Sequence, residues 1–222
     1  MIPLRDSQPS QSTPVITVLL IAANVLVFLY EFSLDAYSLN HLLYSFGMVP
    51  DRLVPTTIFS SMFLHGGWMH LIGNMWFLKI YGDNIEDILG HAKYFLFYVA
   101  CGAAAAAAHL AFNLDSRVPT VGASGAIAGV MGAYMVKFPK SKILTLVPLL
   151  VFFTTIEVPA VLVLVYWFIL QVFSGFGSVG HTMASQGGVA WFAHVGGFVA
   201  GVVLVHLLGT RERYRRRPDL RW

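Results

Sequence analysis

The sequence predicts an all-α, polytopic membrane protein, a bundle of six transmembrane helices with a short fourth helix at its centre. Three observations carry this reading. Charged residues make up 11% of the 222 residues and apolar types 57%, with a mean hydropathy of +0.70; an ordinary soluble domain is about 25% charged. Stretches without Asp, Glu, Lys or Arg span 7–30, 53–78, 94–114, 118–136 and 158–210, and a helix needs about 20 apolar residues to cross a bilayer. The basic residues fall on one side once these stretches are drawn as crossings. The composition excludes a water-soluble domain and a disordered chain. Cys101, the single cysteine, excludes a disulfide framework and a cysteine-based zinc site.

The elements follow in order. The first stretch carries a helix over 14–31 that acts as an uncleaved anchor. The second carries one over 67–81 and the third one over 92–113, where six consecutive alanines, Ala103 to Ala108, form a helix with a small packing face. The fourth, over 122–137, is short and rich in Gly and Ala and is expected inside the other five. The last stretch has 53 residues and is interrupted by a Gly/Ser-rich segment from Ser174 to Gly188, so it reads as two helices, 156–173 and 189–208. Backbone amides in lipid must be bonded within their own segment, which favours helices over barrel strands.

Ile143 to Ile156 is apolar but only 14 residues long, contains Pro148 and is closed by Glu157. Charge parity decides against a seventh crossing there. With six crossings and the N-terminus inside, 12 of the 14 basic residues face inward, and only Arg52 and Arg117 lie outside. A seventh would place the six arginines of the C-terminal tail outside, against the positive-inside rule. The segment is therefore expected to be interfacial or an extension of the fifth helix. The chain divides into a cytoplasmic N-terminal tail (1–13), the bundle (14–208) and a basic cytoplasmic tail (209–222). The tail arginines, Arg211 to Arg217, read as a topology determinant, with anionic lipid as the alternative partner. The expected location is the plasma membrane of a prokaryote.

Polar groups at membrane depth are functional candidates, and three constellations qualify. His65-Gly66-Gly67-Trp68-Met69-His70-Leu71-Ile72-Gly73-Asn74 enters the second helix, with His70 and Asn74 on one face. Gly122-Ala123-Ser124-Gly125 opens the fourth. Ala193-His194-Val195-Gly196-Gly197 lies near the start of the sixth. All three helices run inward from outside. At a rise of about 1.5 Å per residue, His70, Asn74, Ser124 and His194 lie within roughly 3–12 Å of the outer ends. Gly125 and Gly129, then Gly197 and Gly201, form two GxxxG spacings that let helix backbones approach closely. Ser124 is thereby brought within reach of His194.

A hydroxyl needs a base to become a nucleophile, and neutral imidazole suits that task. Neither 118–136 nor 158–210 contains Asp or Glu, so the expected unit is a dyad, with His194 held by neutral groups. Asn74, His70 and the Ser124 N–H are the available oxyanion donors. Taken singly, each residue has a structural reading: a Ser bonded to its own backbone, a His or Asn joining helices, His65 at the interface. His109, His206, His41, His91 and His181 show no partner pattern.

With these residues in view the chain resembles the rhomboid intramembrane serine proteases from about Thr13 to Leu208. The motifs that carry the resemblance are HGGWMHLIGN (65–74), GASG (122–125) and AHVGGFVAG (193–201). It implies Ser124 as nucleophile, His194 as base, His70 and Asn74 as the oxyanion-stabilising pair, and Glu86 of GDNIED (82–87) as a structural residue. It also implies cleavage of single-pass transmembrane proteins in or beside their spans, with no cofactor or metal. Two positions depart from the pattern. Thr56 and Thr57 stand where many relatives carry Trp-Arg in the first outer loop. Ala128 stands where some carry an aromatic that packs on the base.

The 175–188 loop is expected to act as a mobile lid, with a substrate gate beside the fifth helix, whose lipid side carries Trp167 and Phe168. A catalytically inactive relative that binds transmembrane helices is the alternative. A transporter should show acidic residues or broken helices at mid-membrane, and the sequence has neither. Zinc-protease and P-loop motifs are absent, and nucleic acid is not an expected partner.

Overall fold

The computed structural model describes residues 2–149, 152–178 and 190–210. Helix α1 (Val15–Ser33) follows Pro14 and has no side-chain cap of its own. Its first amides are taken by a carboxylate from another helix. Glu86, fully buried, accepts from the Ile16 and Thr17 N–H groups and the Thr17 hydroxyl, each at 2.8 Å. An anion at a helix N-terminus satisfies orphan donors and complements the macrodipole.

The loop after α1 contains helix α2 (Ala36–Phe46), capped by Asp35, which accepts from the N–H groups of Tyr37 and Ser38 and from the Ser38 hydroxyl. Those bonds hold the Asp35 carboxyl below its ordinary range. A short helix α3 (Thr57–Ser60) leads toward α4. With Thr56 and Thr57 in place of Trp-Arg, this loop is anchored otherwise: Ser60 Oγ donates to the Phe46 carbonyl at 2.7 Å, and Met48 pairs with Thr120.

Helix α4 (Trp68–Leu89) runs two turns past the expected end at 81. Its late acidic residues find partners that let the helix continue. Glu86 caps α1, and Asp87 accepts from the Gln11 N–H and the Ser12 hydroxyl. Gly90, at φ +76°, ends it and leads directly into α5 (His91–Phe112). Helix α6 (Ser124–Lys137) is buried from Gly125 through Tyr134 and packs against α4, α5, α7 (Ala160–Ser178) and α8 (Trp191–Leu207), the enclosed position expected of it. The alanine run of α5 has a packing purpose, since Ala105 lies against Gly125 of α6 and Ala108 against Gly196 of α8.

Among the described residues, α1 and α5 are long and apolar enough to cross a membrane, and Ala160–Phe173 and Trp191–Leu207 are shorter apolar helices.

The 143–156 segment is not an extension of the fifth helix. It is a hairpin, β2 (Lys142–Leu149) and β3 (Phe152–Pro159), paired antiparallel from Lys142 with Pro159 to Leu149 with Phe152. The chain is mostly helical, as the all-α expectation has it, with a small sheet standing beside the helices. The residues explain it. Ile143, Thr145, Val147, Phe152, Phe153, Thr154, Thr155, Ile156 and Val158 are β-branched or aromatic, and Ile143 and Thr145 point inward in alternation. Helix α7 consequently begins at Ala160, after Pro159, rather than at 156. It also extends to Ser178, into the expected lid; the remainder of that lid lies outside the described residues, as do the tail arginines from Arg211.

Strand β1 (Ile2–Asp6), within the segment expected as a tail, pairs with β2 to complete a sheet in the order β1-β2-β3. The Trp76 indole N–H donates to the Pro3 carbonyl, and Asp6 accepts from the Tyr134 hydroxyl (2.5 Å) and the Asn84 amide (3.1 Å). Burial pushes the Asp6 carboxyl up to about 7, against the Tyr134 hydrogen bond and with help from nearby Asp83. The docked strand therefore binds this proton more tightly than the free strand. Docking is at full strength below the ordinary carboxylate pKa and is lost as pH rises through about 7. Amide exchange should report it: protection of residues 2–6 falls by up to about tenfold per pH unit across that window, and Asp6→Asn removes the dependence. Protection that rises with pH in the wild type would contradict the assignment.

Candidate active site

Ser124 is the first residue of α6, and its N–H belongs to the turn that has no intrahelical acceptor. His194 lies in the first turns of α8. The two helices are held together by glycines. A Cβ on Gly197 would strike the Gly125 carbonyl, and one on Gly201 the Gly129 carbonyl. This close approach brings the Ser124 hydroxyl to 2.8 Å from His194 Nε2. His194 is 8% exposed, and its other ring nitrogen, Nδ1, lies 2.6 Å from the side-chain oxygen of Gln171 on α7. Among the described residues no carboxylate bonds to His194.

The ring support that Ala128 cannot give comes from two tryptophans. Trp167 of α7 lies 5.8 Å from the imidazole, tilted by 37°, and Trp191 meets it edge-on at 6.4 Å. Trp167 and Phe168 both pack on Phe198 of α8. They face the neighbouring helix rather than lipid, which corrects the expectation for this side of the fifth helix.

His70 and Asn74 meet at Gly122, two residues before Ser124. A Cβ on Gly122 would lie 2.7 Å from His70 Nε2 and 3.7 Å from Asn74 Nδ2. Gly122 has φ +125°, so glycine serves here both for conformation and for space. His70 Nδ1 accepts the Gly66 N–H at 3.4 Å, which leaves the ring proton on Nε2, directed toward Gly122. One hydrogen of the Asn74 amide is engaged by His65 Nε2 at 2.9 Å; its other has no protein acceptor among the described residues. The structure thus gathers the four expected residues, Ser124, His194, His70 and Asn74, from α6, α8 and α4.

Three further residues belong to the arrangement: His65, read from the sequence as an interface residue, and Glu31 and Gln171, which the sequence reading did not single out. His65 is 2% exposed, bonds Asn74 and packs edge-on to His70 at 5.1 Å. Its N–H is held by the buried carboxylate of Glu31 from α1, at 3.2 Å to each oxygen. The third is Gln171. Glu31 could have been noticed as the acid that closes the first uncharged stretch, but Gln171 carries no spacing signal. His109, which showed no partner pattern, bonds the Thr120 hydroxyl at 3.0 Å and so joins α5 to the loop before Ser124.

Comparison with known proteins identifies the family. Residues 54–211 match the Rhomboid domain family. Similar proteins include RHOMBOID-like protein 7 of Arabidopsis thaliana, 26% identical over 82% of this chain and 55% of the relative. Rhomboid protease GluP of Bacillus subtilis is 32% identical over 55% of this chain and 24% of the relative. Rhomboid protein 1, mitochondrial, of Saccharomyces cerevisiae is 34% identical over 41% of this chain and 28% of the relative. The chain spans about half, or less, of the length of these relatives. The domain match covers most of the sequence and contains all three motifs, and the chain therefore belongs to the rhomboid family of membrane-embedded proteins.

Proposed function

We propose that the chain is an intramembrane serine endopeptidase that hydrolyses peptide bonds in or beside the spans of single-pass membrane proteins. The observation that carries this is the 2.8 Å approach of the Ser124 hydroxyl to His194 Nε2. In the proposed reaction Ser124 Oγ attacks the scissile carbonyl carbon as its proton passes to His194 Nε2. The oxyanion forms beside Gly122, where the Ser124 N–H, His70 Nε2–H and the second Asn74 N–H converge as donors. Collapse of the intermediate breaks the C–N bond, and His194 returns the proton to the leaving amine. Water then attacks the acyl-enzyme with His194 again as base.

Six spans fit this reading: α1, α4, α5, α6, α7 and α8, with residues 14–208 as the catalytic domain and the flanking 1–13 and 209–222 on one side. The inward bias of Lys and Arg supports that orientation and makes the side bearing the sheet the cytoplasmic one. The similar proteins come from a plant, a mitochondrion and a bacterium.

The test is cleavage of a single-pass reporter in lipid vesicles, wild type beside Ser124→Ala, with a fluorophosphonate probe on the same samples. Covalent labelling at Ser124 separates an enzyme from an inactive helix-binding relative. A subsidiary result is expected at the oxyanion site: Asn74→Ala lowers kcat by about 10²–10³-fold, with KM little changed. An unchanged kcat would remove Asn74 from the donor set.

A further inference from the structure

We infer that Gln171 is the positioning residue of the catalytic base, occupying the place an acid holds in a triad and fixing the tautomer of His194; this rests on the proposed protease reading. A neutral imidazole has one N–H and one lone pair. To accept the Ser124 proton, Nε2 must carry the lone pair, so the ring hydrogen must be on Nδ1. His194 and Gln171 are 8% and 7% exposed, and a buried N–H without an acceptor is strongly disfavoured. The Gln171 oxygen, 2.6 Å from Nδ1, supplies that acceptor. If the amide were reversed, its NH2 would demand a lone pair at Nδ1 and drive the ring hydrogen to Nε2. That hydrogen would then point at Ser124 Oγ, and the base would be lost. The side-chain oxygen facing His194 is thus the orientation the chemistry requires.

The source of the acceptor matters as much as its identity. Ala128 on α6 offers no ring, and α6 and α8 offer no acid. Helix α7 provides both missing parts: Trp167 against the imidazole face and, one turn on at i+4, Gln171 on Nδ1. The opposite side of α7 is bare, with Leu162, Tyr166, Ile169 and Leu170 exposed. The base is therefore complete only where α7 lies against α8. A neutral amide avoids burying a carboxylate, whose desolvation is severe at this depth, but it leaves the imidazolium formed during the reaction without a counter-charge. Among the described residues, the other titratable groups facing His194 are His70 of α4 and His109 of α5.

Two substitutions separate this role from packing. Gln171→Leu keeps an apolar volume and removes the acceptor; Gln171→Glu keeps the acceptor and adds a charge. The full chain in lipid vesicles is followed by the rate of fluorophosphonate labelling at Ser124 and by reporter cleavage, from about pH 5 to 9, the range in which histidine titrates. Gln171→Leu is expected to lower the labelling rate and kcat by about 10–100-fold with KM little changed. Gln171→Glu is expected to recover most of that loss above neutral pH. Its acid limb should move up by about 1–3 pH units, because a carboxylate beside the ring favours the protonated form that cannot act as base. If Gln171→Leu does not fold, the displaced limb of Gln171→Glu decides alone, since weakened packing does not move it. Wild-type rates and an unmoved limb in these variants overturn the inference while the protease reading stands. A wild type that neither labels nor cleaves overturns both.

Discussion

Ser124→Ala and His194→Ala each abolish detectable cleavage of a single-pass reporter, a loss on the order of 10⁶ in kcat if this site behaves as soluble serine proteases do. In the proposed reaction the Ser124 hydroxyl forms the covalent bond, and His194 Nε2, 2.8 Å from it, acts as the base. Removal of either leaves the oxyanion donors with no alkoxide to serve. The two losses do not add, and the double variant is expected to be no slower than either single one. The variants should differ in stability. Ser124→Ala removes the hydrogen bond to His194 and little else, so it melts close to wild type. His194→Ala leaves a gap between Trp167 and Trp191 and strips Gln171 of its partner, so its melting temperature falls as well. Appreciable turnover by well-folded Ser124→Ala, on reporter and probe alike, would end the proposal of a serine nucleophile.

The helical frame and the four convergent residues were legible because each left a regular mark. Uncharged stretches bounded by Glu31, Lys93 and Asp115 locate α1 and α5 to within two or three residues. Glycines at i, i+4 beside Ser124 and beside His194 announce the close seam between α6 and α8. The hairpin was not legible from apolarity alone, because a 14-residue apolar run has the length of a short helix and of two strands with a turn. Its β-branched residues were the unused signal. The extension of α4 was hidden because charge in Asp83, Glu86 and Asp87 looks like an exit from lipid. Only tertiary structure reveals that Glu86 caps α1 and that Asp87 holds the residues before it. Gln171 and His65 mark the limit of such reading. Their partners are 23 and 9 residues away, on another helix in one case and across a glycine pair in the other. Neither distance has a helical period that would have singled them out.

The seam itself supplies the second large effect. Gly201→Val is expected to prevent accumulation of the folded protein, and Gly201→Ala to lower its melting temperature with a kcat loss of about 10²-fold or more in the folded fraction. A Cβ at Gly201 would strike the Gly129 carbonyl oxygen and would lie 2.5 Å from that carbonyl carbon and 2.6 Å from the Gly129 Cα. These are helix backbone atoms, with no rotamer to turn aside. Relief therefore requires α6 and α8 to separate, and α6 is buried on every side, so its displacement presses on α4, α5 and α7. Overpacking a core costs about 1–3 kcal/mol where side chains can yield; backbone against backbone should exceed that range. In lipid, close packing is itself a main source of helix association, so a seam that opens has no hydrophobic effect to close it again. Even a separation of about 1 Å displaces Ser124 from His194, and misplacement on that scale can cost about 10²-fold in rate. Gly73→Ala in α4 is the matched comparison: a Cβ there meets nothing within 4 Å, and alanine in a helix interior is favoured over glycine by about 0.5–1 kcal/mol. That variant should melt at or above the wild-type temperature. Equal melting of Gly201→Ala and Gly73→Ala in detergent would mean that α6 and α8 do not meet backbone to backbone at this seam.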